Sequence, residues 1–281
     1  MKILITGGNG MVARAAKRIF ESLGDEVVSV TKEELDISNR GDVCNLLASV
    51  RPDAVVNCAA YTNVDGCESN KDLCFAVNSF GVENLAIESR NIGAKFVTIS
   101  TDYVFDGTSN GFYTEEDVPN PISVYGKSKL DGEMRAIAAN EKSIIVRAGW
   151  IYGHGGTNFL SAVADKIAKR DSVTAISDSF GTPTFADDLC RTMRALLNTD
   201  ATGIFHIANS GEGTSYHGFA VEVANSLGSS SETISEISDG QLSRLAPRPV
   251  SSKLRSIRLK NFDIEPLRDW KEALAEFLQG K

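Results

Sequence analysis

Tyr125 and Lys129 stand four residues apart in the run Val124-Tyr125-Gly126-Lys127-Ser128-Lys129-Leu130. On a helix that spacing puts the phenol and the ammonium on one face, a turn apart. A neighbouring cation stabilises a phenolate and lowers the tyrosine pKa from its ordinary value near 10. Such a pair could move a proton near neutral pH, although the same spacing also occurs on solvated helix faces. A second polar group belongs with it. The apolar run from Lys95 closes on Ser100-Thr101-Asp102, where a hydroxyl could hold a carbonyl oxygen while Tyr125 protonates it.

A third piece is a phosphate cradle. Gly7-Gly8-Asn9-Gly10 lies between an apolar run, Lys2 to Thr6, and a stretch with helical apolar spacing, Met11 to Leu23. Glycines let the backbone approach a pyrophosphate, and a helix N-terminus offers free N–H groups and positive dipole. After the second apolar run, Glu26 to Val30, the chain has Thr31-Lys32 where many NAD-specific sheets carry an acid. That pair suits a 2′-phosphate, so NADPH is expected ahead of NADH. Late in the chain, Pro247-Arg248-Pro249 holds an arginine rigidly, and arginine matches phosphate oxygens in bidentate geometry. Arg248 is therefore a candidate for a substrate diphosphate. His206, in an apolar strand, could touch substrate or simply fill the core.

These groups need strands that end together and helices that start there. Further strands are expected over Asp53 to Ala60 and Lys95 to Ser100, with helices opening at Ser38 and spanning Leu73 to Ile92. The alternation predicts an α/β fold, a doubly wound parallel sheet of Rossmann-like type with a smaller C-terminal substrate-binding domain. Residues 1–150 would bind the cofactor, with segments around 185–208 and 262–281 returning to that unit, and 151–261 would form most of the smaller one. In the second half of the chain, helices are expected over Asn158 to Ala168 and Asp187 to Leu197, and strands over Val173 to Ile176 and Gly203 to Ala208.

Composition narrows the partners. The 281 residues carry a net charge of −8, against nucleic acid or an anionic membrane surface as partner. Five scattered cysteines without metal-ligand spacing suggest reduced thiols and a cytoplasmic protein. The apolar run at the N-terminus is too short for a signal peptide or a membrane span.

Thr6-Gly7-x-x-Gly10-x-x-Ala13, Ser100-Thr101-Asp102 and Tyr125-x-x-x-Lys129 together resemble the extended short-chain dehydrogenases/reductases. More narrowly, the chain is similar to the dTDP-4-dehydrorhamnose reductase family. The matching stretches are Leu35-Asp36-Ile37, Val56 to Asp65, Ser100 to Gly107, Val124 to Leu130, Gly149 to Gly153 and Phe180 to Thr184. The resemblance implies Thr101, Tyr125 and Lys129 as catalytic residues. It implies cofactor contacts at Gly7, Asn9, Gly10, Met11, Val12, Asp36, Ile37, Ala59, Ala60 and Tyr61, besides Tyr125 and Lys129. Sugar-facing positions fall on Thr62, Thr101, Asp102, Tyr103 and Trp150. The implied reaction is NADPH-dependent reduction of the C4 keto group of dTDP-4-dehydro-L-rhamnose, in a possible homodimer.

Three departures from the family pattern stand out. Ala13 replaces a usual glycine, Ala148-Gly149 replaces a hydroxyl-bearing pair and is expected to alter the sugar pocket, and no acids can be assigned to a metal. Two other readings stay open. A nucleotide-sugar epimerase or dehydratase shares the triad, but Asp102-Tyr103 lacks the Asp-Glu pair of dehydratases. A non-catalytic, cofactor-binding subunit resembling the regulatory subunit of methionine adenosyltransferase is the other.

Overall fold

The computed structural model describes residues 1–280. Its first half runs β1 (Lys2–Thr6), α1 (Met11–Ser22), β2 (Glu26–Val30), α2 (Arg40–Val50) and β3 (Ala54–Asn57). There follow α3 (Val64–Ser69), α4 (Lys71–Phe75), α5 (Gly81–Ile92), β4 (Lys95–Thr101), α6 (Val124–Ala139) and β5 (Ser143–Ala148). The second half has short strands β6 (Ile151–Tyr152), β7 (Val173–Ile176), β8 (Phe180–Gly181), β9 (Thr184–Phe185), β10 (Gly203–His206), β11 (Thr214–Ser215) and β12 (Ile234–Ile237). Its helices are α7 (Phe159–Ala168), α8 (Ala186–Leu196), α9 (Tyr216–Ser226) and α10 (Trp270–Gln279).

Six strands form one parallel sheet in the order β10-β5-β4-β3-β1-β2. Side chains alternate across it, as a period of two demands. Ile3 and Ile5 pack under α1 and α8, while Leu4 packs with Val43 and Leu47 of α2 and Leu85 of α5. The strand order reverses at β1, and a crevice beyond the carboxyl ends of the strands is the usual ligand position in such sheets. A second apolar cluster joins α7, α9 and α10 to β7. Among the described residues, no helix is long and apolar enough to cross a membrane.

Four local expectations change. Asn39, not Ser38, caps α2, accepting from Gly41 N at 3.0 Å and Asp42 N at 3.4 Å, because Asp36 binds the Ser38 hydroxyl at 2.7 Å. The helix expected over Leu73 to Ile92 contains a π-turn at Ala76–Phe80. That widened turn aims Asn78 sideways; its amide accepts from Tyr61 N at 2.8 Å and donates to Ser128 Oγ at 3.1 Å. The C-terminal segment divides. Phe262, Ile264 and Leu267 lie on the large sheet's core, whereas Trp270, Leu274 and Phe277 of α10 pack in the smaller cluster. His206 is fully buried with Nδ1 against the Tyr113 carbonyl at 3.1 Å and Phe105 beside its ring, so it is a core residue.

Candidate active site

The turn between β1 and α1 is shaped by its glycines. Gly7 has φ +71°, and a Cβ there would come within 2.8–2.9 Å of the Cys58–Ala59 backbone. Gly8 lies equally close to Ser29 Oγ, 2.7 Å from where its Cβ would stand. Gly10 caps α1 without any side-chain hydrogen bond, so the first N–H groups of the helix face outwards. This is a bare, positively polarised backbone cradle, the form a pyrophosphate requires. The residues present fit a dinucleotide.

Three adjoining cavities run from this cradle across the sheet's edge. The first, about 340 Å³, is lined by Gly7, Gly10, Lys32, Asp36, Ile37, Ala59, Ala60 and Tyr61, as an adenosine half would need. The second, about 460 Å³, has Met11, Val12, Cys58, Thr101, Tyr125 and Lys129 in its walls. The third, about 570 Å³, reaches the smaller unit through Tyr103, Trp150, Tyr216, Leu242 and Arg244. Thr62 lines all three, while Thr101, Asp102, Tyr125, Trp150 and Asn158 are common to the last two. Asp36 is held by Ser38, whose hydrogen bonds keep its carboxyl below the usual range. Asn9 alone of the expected cofactor residues is absent from these walls; its carbonyl accepts from Arg14.

At the junction of the second and third cavities, a hydrogen-bonded chain links Tyr125, Thr101, Asp102 and Ser252. The Thr101 hydroxyl bonds the Tyr125 phenol and donates to Asp102 Oδ1 at 3.0 Å, and Ser252 Oγ donates to Asp102 Oδ2. Register positions the two strands that supply the site: Thr101 of β4 pairs with Ala148 of β5. Beyond it, a Cβ on Gly149 would overlap the Asp102 carboxylate. Gly149 therefore leaves room for the acid. Burial raises the Asp102 pKa to about 6, with Ser252 and Thr101 opposing. Tyr103 meets the Tyr125 ring edge-on at 6.0 Å.

Lys129 is 4% exposed and donates to the Ile99 carbonyl at 2.7 Å. Burial lowers its pKa to about 8, and the Glu133 carboxylate works in the other direction. For Tyr125 the expected lowering is reversed. Desolvation pushes the phenol well above its ordinary value, and only the hydrogen bond with Thr101 opposes this. Lys129 has turned its ammonium to a backbone carbonyl, so in the free protein Tyr125 is a protonated acid.

Trp150 has φ +52°, a strained backbone for a bulky residue, and its indole stacks on Tyr216 with ring centres 3.9 Å apart. Gly181 lies under the indole, where a Cβ would overlap it. Arg248 does not face the third cavity. Its guanidinium is bound bidentately to Asp65, at 3.1 and 3.0 Å, and Ala246 N donates to the same carboxylate at 2.9 Å. The arginine that lines the cavity is Arg244, held by Asp239 at 2.5 Å. Arg244, Tyr216 and Asn158 escaped sequence reasoning as site residues. No motif marks the first two, and Asn158 was legible only as a helix start, where it caps α7.

The chain matches the family described as RmlD substrate binding domain over residues 1–281. It is 37% identical to a dTDP-4-dehydrorhamnose reductase of Streptomyces griseus, covering 97% of this chain and 91% of that protein. It is 36% identical to the spore coat polysaccharide biosynthesis protein SpsK of Bacillus subtilis, covering 100% and 98%. Among solved structures, dTDP-4-dehydrorhamnose reductase from Bacillus anthracis in complex with NADP superposes with a TM-score of 0.95. That pair shares 31% identity over 100% of this chain and 99% of that one.

Proposed function

Because the chain belongs to the RmlD substrate-binding family, we propose that it is a dTDP-4-dehydrorhamnose reductase. It reduces the C4 keto group of dTDP-4-dehydro-L-rhamnose to give dTDP-L-rhamnose, at the expense of NADPH. The observation that carries this is the continuity of the three cavities, with Tyr125 and Thr101 at the wall between the second and the third. A dinucleotide lying in the first two would present one end to a sugar in the third. The cytoplasm is its expected location, and residues 1–150 with β10 supply the cofactor half.

The cofactor, when bound, supplies the hydride for C4. Thr101 would hydrogen-bond the ketone oxygen and stabilise the charge that develops there. Tyr125, protonated beforehand, gives its proton to that oxygen. Lys129, a turn away, offsets the phenolate charge that results and holds the nicotinamide ribose. Lys32, exposed at the rim of the adenosine cavity, attracts a 2′-phosphate and sets the preference for NADPH over NADH. Trp150 and Tyr216 give the sugar an aromatic platform.

Arg244 takes the diphosphate in this reading, and Arg248 anchors the strap that carries it to Asp65. Arg244→Ala is expected to raise KM for the nucleotide sugar about tenfold to a hundredfold, leaving KM for NADPH near its original value. Arg248→Ala should raise it less. Steady-state kinetics with each substrate varied in turn distinguish the two, and the reverse ranking would return the diphosphate to Arg248.

The deciding experiment follows NADPH oxidation by purified protein with the dTDP-4-keto-6-deoxy sugar, with and without a 3,5-epimerase. Oxidation that depends on the epimerase supports the assignment. Oxidation without it would mean a different deoxysugar, and no oxidation by folded, cofactor-binding protein would mean a non-catalytic subunit.

A further inference from the structure

One buried carboxylate joins the helix and the strand that carry the reacting groups, α6 and β4, to the neighbouring strand β5. Glu133 lies one helical turn beyond Lys129 on α6 and is 3% exposed. Arg147 of β5, 1% exposed, donates to it through Nε at 3.0 and 3.2 Å and Nη2 at 2.6 Å. Ser100 Oγ donates to it from β4, next to Thr101. A buried ion pair is weak evidence for stability, since desolvation offsets much of the attraction. What stands beside this pair is therefore informative.

Its neighbour is Lys129. The titratable and charged groups around that ammonium are Glu133 and Tyr125 on its own helix, Cys58 beyond β3, Cys74 on α4, Asp102 beyond β4 and Arg147 on β5. Cys58 is a neutral thiol, its pKa pushed up to about 12 by burial. Glu133 is the largest influence favouring the charged amine. We propose that Glu133, oriented by Arg147 and Ser100, is a positioning residue of the reduction. It holds Lys129 in its charged form and fixes the offset between the strand end at Thr101 and the helix carrying Tyr125 and Lys129.

This inference rests on the reductase reading, and its test separates the two. Glu133→Gln keeps the shape and an acceptor for Ser100 but removes the charge. The amine then holds its proton less tightly, so its titration moves to lower pH. The alkaline limb of the kcat–pH profile is expected to move down by about one pH unit or more. The same shift should appear without cofactor or turnover, in the carbon-13 resonance of the Lys129 ε-methylene, identified by its absence in Lys129→Met. KM for the nucleotide sugar should stay put, because Glu133 is outside the cavity walls. Ser100→Ala cuts the link to β4 alone and should lower kcat about tenfold with the alkaline limb in place.

An unmoved limb and an unmoved resonance in folded Glu133→Gln would overturn the proposal. If that variant does not fold, wild-type kcat in Ser100→Ala overturns it instead. Native protein without turnover would fail the reductase reading, yet the Lys129 titration would still report on Glu133.

Discussion

Replacing Tyr125 by phenylalanine is expected to lower kcat by about a thousandfold, the middle to upper part of the range for loss of a positioned proton donor. The phenol is the acid that the geometry places beside Thr101, and its raised pKa keeps it protonated across the physiological range. Phenylalanine keeps the ring that meets Tyr103 edge-on, so fold and cofactor affinity should hold. The phenol's loss removes a partner of Thr101, whose hydroxyl still bonds Asp102 at 3.0 Å. Turnover and NADPH titration of the same preparation check this. A variant that keeps a tenth of native turnover would remove Tyr125 from the role of acid.

Asp102→Asn should move stability and turnover in opposite directions. The native carboxylate titrates at about 6 in the fold against an ordinary 3.8, because burial disfavours its charge. A raised carboxyl pKa means that its contribution is full below the unfolded value and is lost as pH rises through the folded one. Near pH 8 the ionised Asp102 costs on the order of 3 kcal/mol, which the amide does not incur. Denaturant unfolding should find the variant more stable at pH 8, with the difference shrinking towards pH 4. Turnover should fall about a hundredfold, because the amide no longer orients both Thr101 and Ser252 as the carboxylate does. A stability difference independent of pH would mean that Asp102 is not held in this perturbed state.

The parts of the site that lie along one element were readable from the chain. Tyr125 and Lys129 share a helix, Thr101 ends a strand, and Gly7 to Gly10 join a strand to a helix, so periodicity and turn chemistry suffice. What depends on direction between elements was not. Arg248 has the stiffer setting between two prolines, but stiffness does not say which way a guanidinium points, and Arg244 proved to face the cavity. The π-turn at Ala76–Phe80 adds too little to disturb helical spacing, yet it aims Asn78 at both Tyr61 and Ser128. Ser38 and Asn39 are both good caps, and only the bond from Ser38 to Asp36 decides between them. The Tyr125 phenol went the other way because spacing shows a nearby cation and says nothing of desolvation.

Shared walls between the second and third cavities have an energetic meaning. Thr62, Thr101, Asp102, Tyr125 and Trp150 belong to both, so an occupant of the inner space completes the floor of the outer one. Binding of either ligand must then favour the other by the same factor, as thermodynamic linkage requires.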